Sequence, residues 1–110
     1  MQLAQLFKCL TDDTRLTCTL LIYQCQQLCV GELVEATGQS QPKISRHLAQ
    51  LRACGLLTDE RKEQWVYYSL HPDLPPWALA ILATAAETDQ TKLETMLNKL
   101  NGFTCGPGQC

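Results

Sequence analysis

Residues 38–55 (GQSQPKISRHLAQLRACG) constrain the fold more than any other stretch, because they carry a helix start, a buried stripe and a helix stop. Ser40 has a hydroxyl that can cap a helix N-terminus. Pro42 follows in the first turn, where its missing N–H costs no intrahelical bond. The pattern predicts a helix that begins near Gln41. It ends before Gly55, a residue suited to the left-handed conformation found after helices.

The predicted helix has one apolar face and one polar face. Ile44, Leu48 and Leu51 follow one another at spacings of four and three, which aligns them as a buried stripe. Arg46 and Gln50 fall roughly opposite that stripe, and Lys43 and His47 lie on its flanks. Basic and amide side chains can contact phosphates and base edges in the DNA major groove. A solvated surface face is the alternative interpretation.

The segments on either side complete a motif. Leu33, Val34 and Thr37 sit at helical spacing, and Gly38 supplies a tight turn before the next helix, which is the helix-turn-helix layout. After residue 55, residues 56–58 and 65–70 are predicted to be two strands, joined by the charged segment 59–64. A hairpin at this place would form a wing.

Three stretches together resemble a known family: LFKCLTDDTRL, SQPKISRHLAQLRACGLL and QWVYYSLHPDLPPWA are similar to segments of bacterial ArsR/SmtB repressors, with arsenical-resistance operon repressors nearest. The resemblance covers about residues 5–100. It implies a mainly α fold with a small β-hairpin, a winged helix-turn-helix that dimerises through its first and last helices. The residues expected at that homodimer interface are Leu3, Leu6, Phe7, Ile81, Ala85, Leu93 and Leu97.

The remaining helices follow from apolar spacing and caps. Residues 1–10 form a short amphipathic pattern, and Asp12 or Asp13 can cap a second helix that runs through Tyr23. A third covers residues 29–37, and a long helix is expected over residues 77–100 after a Pro-rich loop. We therefore expect one domain over residues 1–100 and a flexible Gly/Pro/Cys tail over 101–110.

The charge distribution favours a nucleic-acid partner despite a net charge of -2. No Asp or Glu occurs between Ala36 and Thr58, a segment that contains Lys43, Arg46 and Arg52. A locally positive surface on an acidic body favours specific over non-specific DNA binding.

The sequence shows no secretion signal and no membrane-length apolar run, so a cytoplasmic location without a membrane partner is expected.

Seven cysteines in such a chain favour soft-metal binding or thiol redox chemistry over a disulfide framework. In arsenical-responsive relatives, the helix before the DNA-reading helix carries Cys-x-Cys-x-x-Cys, which binds trivalent arsenic or antimony through three sulfurs. Only Cys29 stands at a matching position, so the other ligands have to lie elsewhere. Spacing allows two arrangements, a pair of Cys105 with Cys110 or a pair of Cys25 with Cys29, and a mixed site of Cys29 with Cys105 and Cys110 would supply three sulfurs. Cys9, Cys18 and Cys54 are expected to pack as small hydrophobic residues. Those three are not assigned to the site.

Other branches of the family bind zinc through Asp and His on the C-terminal helix. The predicted C-terminal helix has no histidine, since His47 lies in the reading helix and His71 in the Pro-flanked loop. A zinc site of that type is therefore disfavoured. An enzyme is disfavoured too, because neither histidine has a recognisable catalytic setting.

The resemblance implies a repressor of an arsenical-resistance operon that binds double-stranded operator DNA and is released by trivalent arsenic or antimony. The alternative is the same DNA-binding fold with a thiol-redox or persulfide input. Arg61 and Lys62 in the wing are expected to reach the DNA backbone or minor groove. The reading-helix residues expected at DNA are Ser40, Gln41, Pro42, Lys43, Ser45, Arg46, His47 and Gln50.

Overall fold

The computed structural model describes residues 1–102 as six helices and three strands. The helices are α1 (Leu3–Cys9), α2 (Asp13–Cys25), α3 (Val30–Thr37), α4 (Gln41–Ala53), α5 (Pro76–Thr88) and α6 (Gln90–Asn98). The strands are β1 (Leu28–Cys29), β2 (Leu57–Lys62) and β3 (Trp65–Leu70). The expectation of a mainly α winged helix-turn-helix is confirmed. The division at residue 100 stays a prediction, and most of the expected tail lies outside the described residues.

The helix-turn-helix forms where its turn and cap residues predict it. Gly38 ends α3 in the left-handed conformation, with φ of +72°, and its N–H bonds to the Val34 carbonyl. The Ser40 hydroxyl then accepts a hydrogen bond from the Lys43 backbone N–H at 3.4 Å and starts α4. Gly55, with φ of +85°, follows α4. These confirmed details fix the direction in which α4 leaves the body of the protein.

Helix α2 forms the centre of the core. Asp12 caps it by accepting a hydrogen bond from the Arg15 backbone N–H at 3.1 Å, which confirms one of the two expected caps. Leu20, Leu21 and Ile22 are all buried, and α2 packs against α4, α5 and α6. The buried stripe of α4 rests on this core, so the opposite face of α4 points to solvent.

The sheet departs from the expected simple hairpin in two ways. Its three antiparallel strands lie in the order β1-β3-β2, and β1 was missed because two residues carry no strand periodicity. The charged segment expected to join the strands belongs mostly to β2, which pairs with β3 as far as Lys62 opposite Trp65. Exposed charges on an edge strand lose no hydration, so they do not oppose pairing. The turn is reduced to Glu63 and Gln64.

The long C-terminal helix expected over residues 77–100 is wrong in its continuity. Asp89 separates α5 from α6, with φ of −102° and ψ of 19°. Thr88 and Asp89 are both weak helix formers, and Asp favours helix ends over interiors. The interruption lets both helices reach the core, through Leu82 of α5 and Leu93 of α6. Within residues 1–102, each helix lacks the length or the apolar character needed to cross a membrane.

Candidate nucleic-acid interface

The outward face of α4 is polar, exposed and free of acidic residues. Ile44, Leu48 and Leu51 are fully buried, whereas Ser45 and Arg46 are exposed on the other side. Neither of these two side chains has a hydrogen-bond or ion-pair partner in residues 1–102. Arg46 is therefore available to an external acceptor such as a base edge or a phosphate.

The start of α4 is equally open. Ser40, Gln41 and Pro42 are exposed. Lys43 is half-buried, and its Nζ donates a hydrogen bond to Gln39 Oε1 at 3.0 Å. The first backbone N–H groups of a helix carry partial positive charge. This end of α4 therefore adds to the attraction that the basic side chains exert on phosphate.

His47 requires a correction to the expected set. The residue is only 6% exposed, and its side chain points toward the N-terminus of α2 rather than solvent. His47 Nε2 lies 3.7 Å from Asp12 Oδ1, and Nδ1 lies 3.2 Å from Gln50 Oε1. The flank position that the sequence assigned to His47 becomes buried because the N-terminus of α2 packs over it. His47 therefore positions α4 against α2 and is not presented to DNA.

Gln50 is exposed but tethered. Arg15 Nη1 donates a hydrogen bond to Gln50 Oε1 at 3.0 Å, and Arg15 Nε donates one to the Cys9 carbonyl at 2.9 Å. Sequence reasoning missed Arg15, which links α1, α2 and α4. The one local feature that could have indicated this role is the position of Arg15 three residues after the Asp12 cap, and a solvated arginine is equally compatible with that spacing.

The wing places two basic side chains at its tip. Arg61 and Lys62 are exposed near the end of β2, and Lys62 Nζ lies 5.7 Å from the centre of the Tyr67 ring. Lys62 also donates a hydrogen bond to Gln27 Oε1 at 3.3 Å. At the base of the wing, Arg52 and Asp59 form an ion pair of 2.9 Å that joins α4 to β2. This ion pair fixes the wing beside α4.

The candidate metalloid ligands are only partly described. Cys29 is fully buried at the N-cap of α3, and its backbone N–H donates to Glu32 Oε1 at 3.0 Å. Cys105 and Cys110 lie outside the described residues. The three-sulfur site therefore stays a prediction.

The other cysteines differ from one another. Cys18 packs in the core as expected, and burial raises the pKa of its thiol to about 12, so it is a poor nucleophile at neutral pH. Burial, followed by the Glu32 charge, also raises the pKa of Cys25. Cys9 is buried as expected, but it forms a disulfide with Cys54, so the expectation of simple packing is wrong for both.

The expected dimer residues divide into two groups. Leu6 and Leu93 are buried in the subunit's own core at 0% and 1% exposure, so neither is free to meet a partner, and the expectation for both is corrected. Leu3 and Phe7 on α1 are about half exposed, at 51% and 53%. Ile81, Ala85 and Leu97 are partly exposed on α5 and α6. The residues that remain available for a dimer interface are therefore Leu3, Phe7, Ile81, Ala85 and Leu97.

A helix-turn-helix whose second helix exposes a basic face, followed by a hairpin held beside it, defines the winged helix-turn-helix class of proteins. Residues 12–59 match the family described as "Bacterial regulatory protein, arsR family". The chain is 46% identical over 101 residues to the arsenical resistance operon repressor of Escherichia coli, covering 92% of this chain and 86% of that protein. It belongs to the ArsR family of bacterial regulatory proteins.

Two further comparisons agree with this assignment. The chain is 58% identical over 84 residues to an arsenic resistance transcriptional regulator of Pseudomonas putida, a match that spans 76% of this chain and 66% of that relative's length. Among solved structures, the antimony-specific transcriptional repressor AntR superposes with a TM-score of 0.64 at 26% identity, covering 81% of this chain and 78% of that one.

Proposed function

We propose that this protein is a transcriptional repressor of an arsenical-resistance operon and leaves its operator when trivalent arsenic or antimony binds cysteine thiolates. The observation that carries the DNA-binding part is the exposed face of α4, where Ser45 and Arg46 have no partner in the described part of the chain. The inducer is proposed because relatives at 46% and 58% identity are named for arsenic resistance.

Operator binding is proposed to use a homodimer. Leu3 and Phe7 leave an apolar surface on α1, and Ile81 and Ala85 line an apolar depression on α5. A second copy that covers these faces would present two α4 helices related by two-fold symmetry. The operator should then be near-palindromic, with half-sites about one helical turn or slightly more apart.

The position of Cys29 supplies a route from inducer to DNA. Cys29 precedes α3, and α3 packs directly on α4. A metalloid that draws the Cys29 sulfur toward other thiolates would act on the start of α3 and change the angle of α4. Release requires the metalloid to bind the DNA-free conformation more tightly than the DNA-bound one, since equal affinity shifts nothing.

The test is operator binding measured by fluorescence anisotropy, with titrations of arsenite, antimonite, zinc and peroxide. Wild type is compared with Cys29→Ser and with Cys105→Ser/Cys110→Ser. Release by arsenite or antimonite that disappears in these variants supports the proposal. If arsenite or antimonite releases the variants as readily as wild type, the proposed ligands are wrong. If neither metalloid releases wild type, the proposed class of inducer is wrong.

A thiol-redox or persulfide input is the second candidate, because the fold brings two cysteines together as a disulfide. It leaves the DNA-binding surface unchanged. Peroxide would then release the operator in place of metalloid. Loss of the peroxide response in Cys54→Ser, but not in Cys105→Ser/Cys110→Ser, would place the redox input at the Cys9–Cys54 pair.

A further inference from the structure

We propose that Cys9 and Cys54, when reduced, form a two-thiol site for a monosubstituted trivalent arsenical, a ligand class in which one arsenic valence is already occupied by carbon. The inference rests on the proposed function, because it adds a second class of inducer. It assigns that inducer to a place in the fold separate from Cys29.

The tertiary fold creates this pair. Cys9 is the last residue of α1 and Cys54 follows the last residue of α4, 45 positions away in sequence. Their Cα atoms are 6.3 Å apart, inside the range of about 4.4–6.8 Å found for cysteines joined by a disulfide, so the two sulfurs face each other. Two thiols at this separation can hold one small bridging atom between them.

The pair is sheltered on one side and reachable from the other. Cys9 is 2% exposed, whereas Cys54 is half-buried and lines a surface cavity of about 200 Å³. Met1, His71 and Leu74 contribute to the walls of the cavity, which gives it mixed apolar and polar character. An arsenic atom between the sulfurs could therefore direct a small organic substituent into this space.

The number of sulfurs selects the ligand class. Inorganic trivalent arsenic completes its valence with three thiolates, but within residues 1–102 no group of three Cys, His, Asp or Glu side chains is arranged to hold one ion. A monosubstituted arsenical, R–As(OH)₂, needs only two thiolates, and soft thiolates suit this element. Two S–H and two As–OH bonds are exchanged for two As–S bonds and two waters, and arsenic stays trivalent.

The Cys9–Cys54 disulfide seen in the structure prevents this complex from forming, because each sulfur is already bonded to the other. Two equivalents of a thiol reductant convert it to the two thiols and are themselves oxidised to a disulfide. Only the reduced pair can then take up arsenic. The protein must therefore be reduced before the arsenical is added.

The two residues are connected to the DNA-reading helix by hydrogen bonds. Gln5 Nε2 donates to the Cys54 carbonyl at 2.7 Å, and Arg15 donates both to the Cys9 carbonyl and to Gln50 on α4. A bridge between the two sulfurs changes the spacing between the end of α1 and the end of α4. The same hydrogen bonds would pass that change to the face that meets DNA.

The experiment uses phenylarsine oxide as probe and the full chain, reduced with a phosphine that is removed before mixing. The background variant is Cys29→Ser/Cys105→Ser/Cys110→Ser, which removes the other proposed ligands. Native mass spectrometry should show one phenylarsenic group per chain in this background. The adduct should be lost when Cys54→Ser or Cys9→Ser is added.

Cys25→Ser in the same background is the matched control, because Cys25 is half-buried like Cys54 and should leave the adduct intact. Circular dichroism checks folding, and Cys54→Ser decides the result if the buried Cys9 variant does not fold. An adduct that survives in folded Cys54→Ser, or arsenite bound as tightly as phenylarsine oxide in the background, overturns the proposal.

The readout is independent of DNA, which separates the two proposals. A chain that forms the adduct but ignores operator DNA contradicts the repressor function alone. A chain that releases operator DNA with arsenite but forms no Cys9–Cys54 adduct contradicts the two-thiol site alone.

Discussion

Arg46 is the residue that we most directly expect to contact a DNA base, because its guanidinium is exposed and has no partner in the described part of the chain. Arg46→Ala should weaken operator binding by about 1–3 kcal/mol if the side chain pairs with a guanine. The loss on random DNA of equal length should be much smaller. Fluorescence anisotropy on both duplexes measures the difference.

The control for this substitution is Lys99→Ala, which removes the same charge from an exposed position after α6. It should change both affinities little. Equal losses on operator and random DNA for Arg46→Ala would mean that Arg46 binds phosphate and reads no base.

Asp12 links stability to pH at the N-terminus of α2. The hydrogen bond from the Arg15 backbone N–H holds the pKa of this carboxyl below its usual 3.8. Desolvation raises this pKa, and the nearby charge of His47 lowers it. A lowered folded-state pKa gives stability that is present above the unfolded pKa. That stability is lost as pH falls through the folded pKa.

Asp12→Ala should therefore lower the free energy of unfolding by about 1 kcal/mol at pH 7, the usual value of a helix cap. The difference in the free energy of unfolding between wild type and this variant should shrink as the pH falls below 3.8. Urea unfolding across this range measures it. Asp12→Asn keeps a capping side chain and should stay near wild type at pH 7, and a gap that does not change with pH would contradict the charge-based part of the argument.

At the scale of elements, the hairpin of β2 and β3 is expected to add non-specific affinity, since Arg61 and Lys62 are exposed at its tip. Arg61→Ala/Lys62→Ala should weaken binding to operator and random DNA alike. The slope of log affinity against log salt should become shallower by about one for each phosphate that the wing no longer neutralises.

Gln64→Ala in the adjoining turn is the neutral control, because it alters the same exposed tip without removing charge. An unchanged salt slope in the double variant would show that the wing does not reach the phosphates. A weakening confined to operator DNA would instead indicate that the wing meets bases.

At the scale of the whole molecule, the exposed apolar side chains of α1 and α5 predict association of two copies. Phe7 is 53% exposed, and Ile81 lines the apolar depression on α5. Placing a charge at either position would bury an unpaired carboxylate in the proposed interface. Phe7→Glu and Ile81→Glu should therefore shift the protein toward monomer in sedimentation-velocity experiments.

The loss of dimer should also weaken operator binding, because one subunit meets only one half-site. Gln64→Glu in the wing adds the same charge away from this surface and should leave the sedimentation coefficient unchanged. Sedimentation of Phe7→Glu and Ile81→Glu as dimers would place the interface elsewhere on the protein.

Local sequence patterns were sufficient to predict the parts of the site that depend on neighbouring backbone. The Ser40 cap, the left-handed Gly38 and Gly55 and the stripe of α4 all appear where the local pattern puts them. A cap or a tight turn is decided by backbone groups within a few residues. Local sequence patterns therefore predicted the position of α4 and its exposed face.

The packing of distant elements determined which flank residues stay exposed. His47 is buried because the start of α2 covers it, and Leu6 and Leu93 belong to the subunit's own core. Cys9 and Cys54 meet across 45 residues, a distance at which no local pattern operates. Burial depends on which distant element packs over a position, so only the assembled fold separates an exposed side chain of α4 from one that holds the helices together.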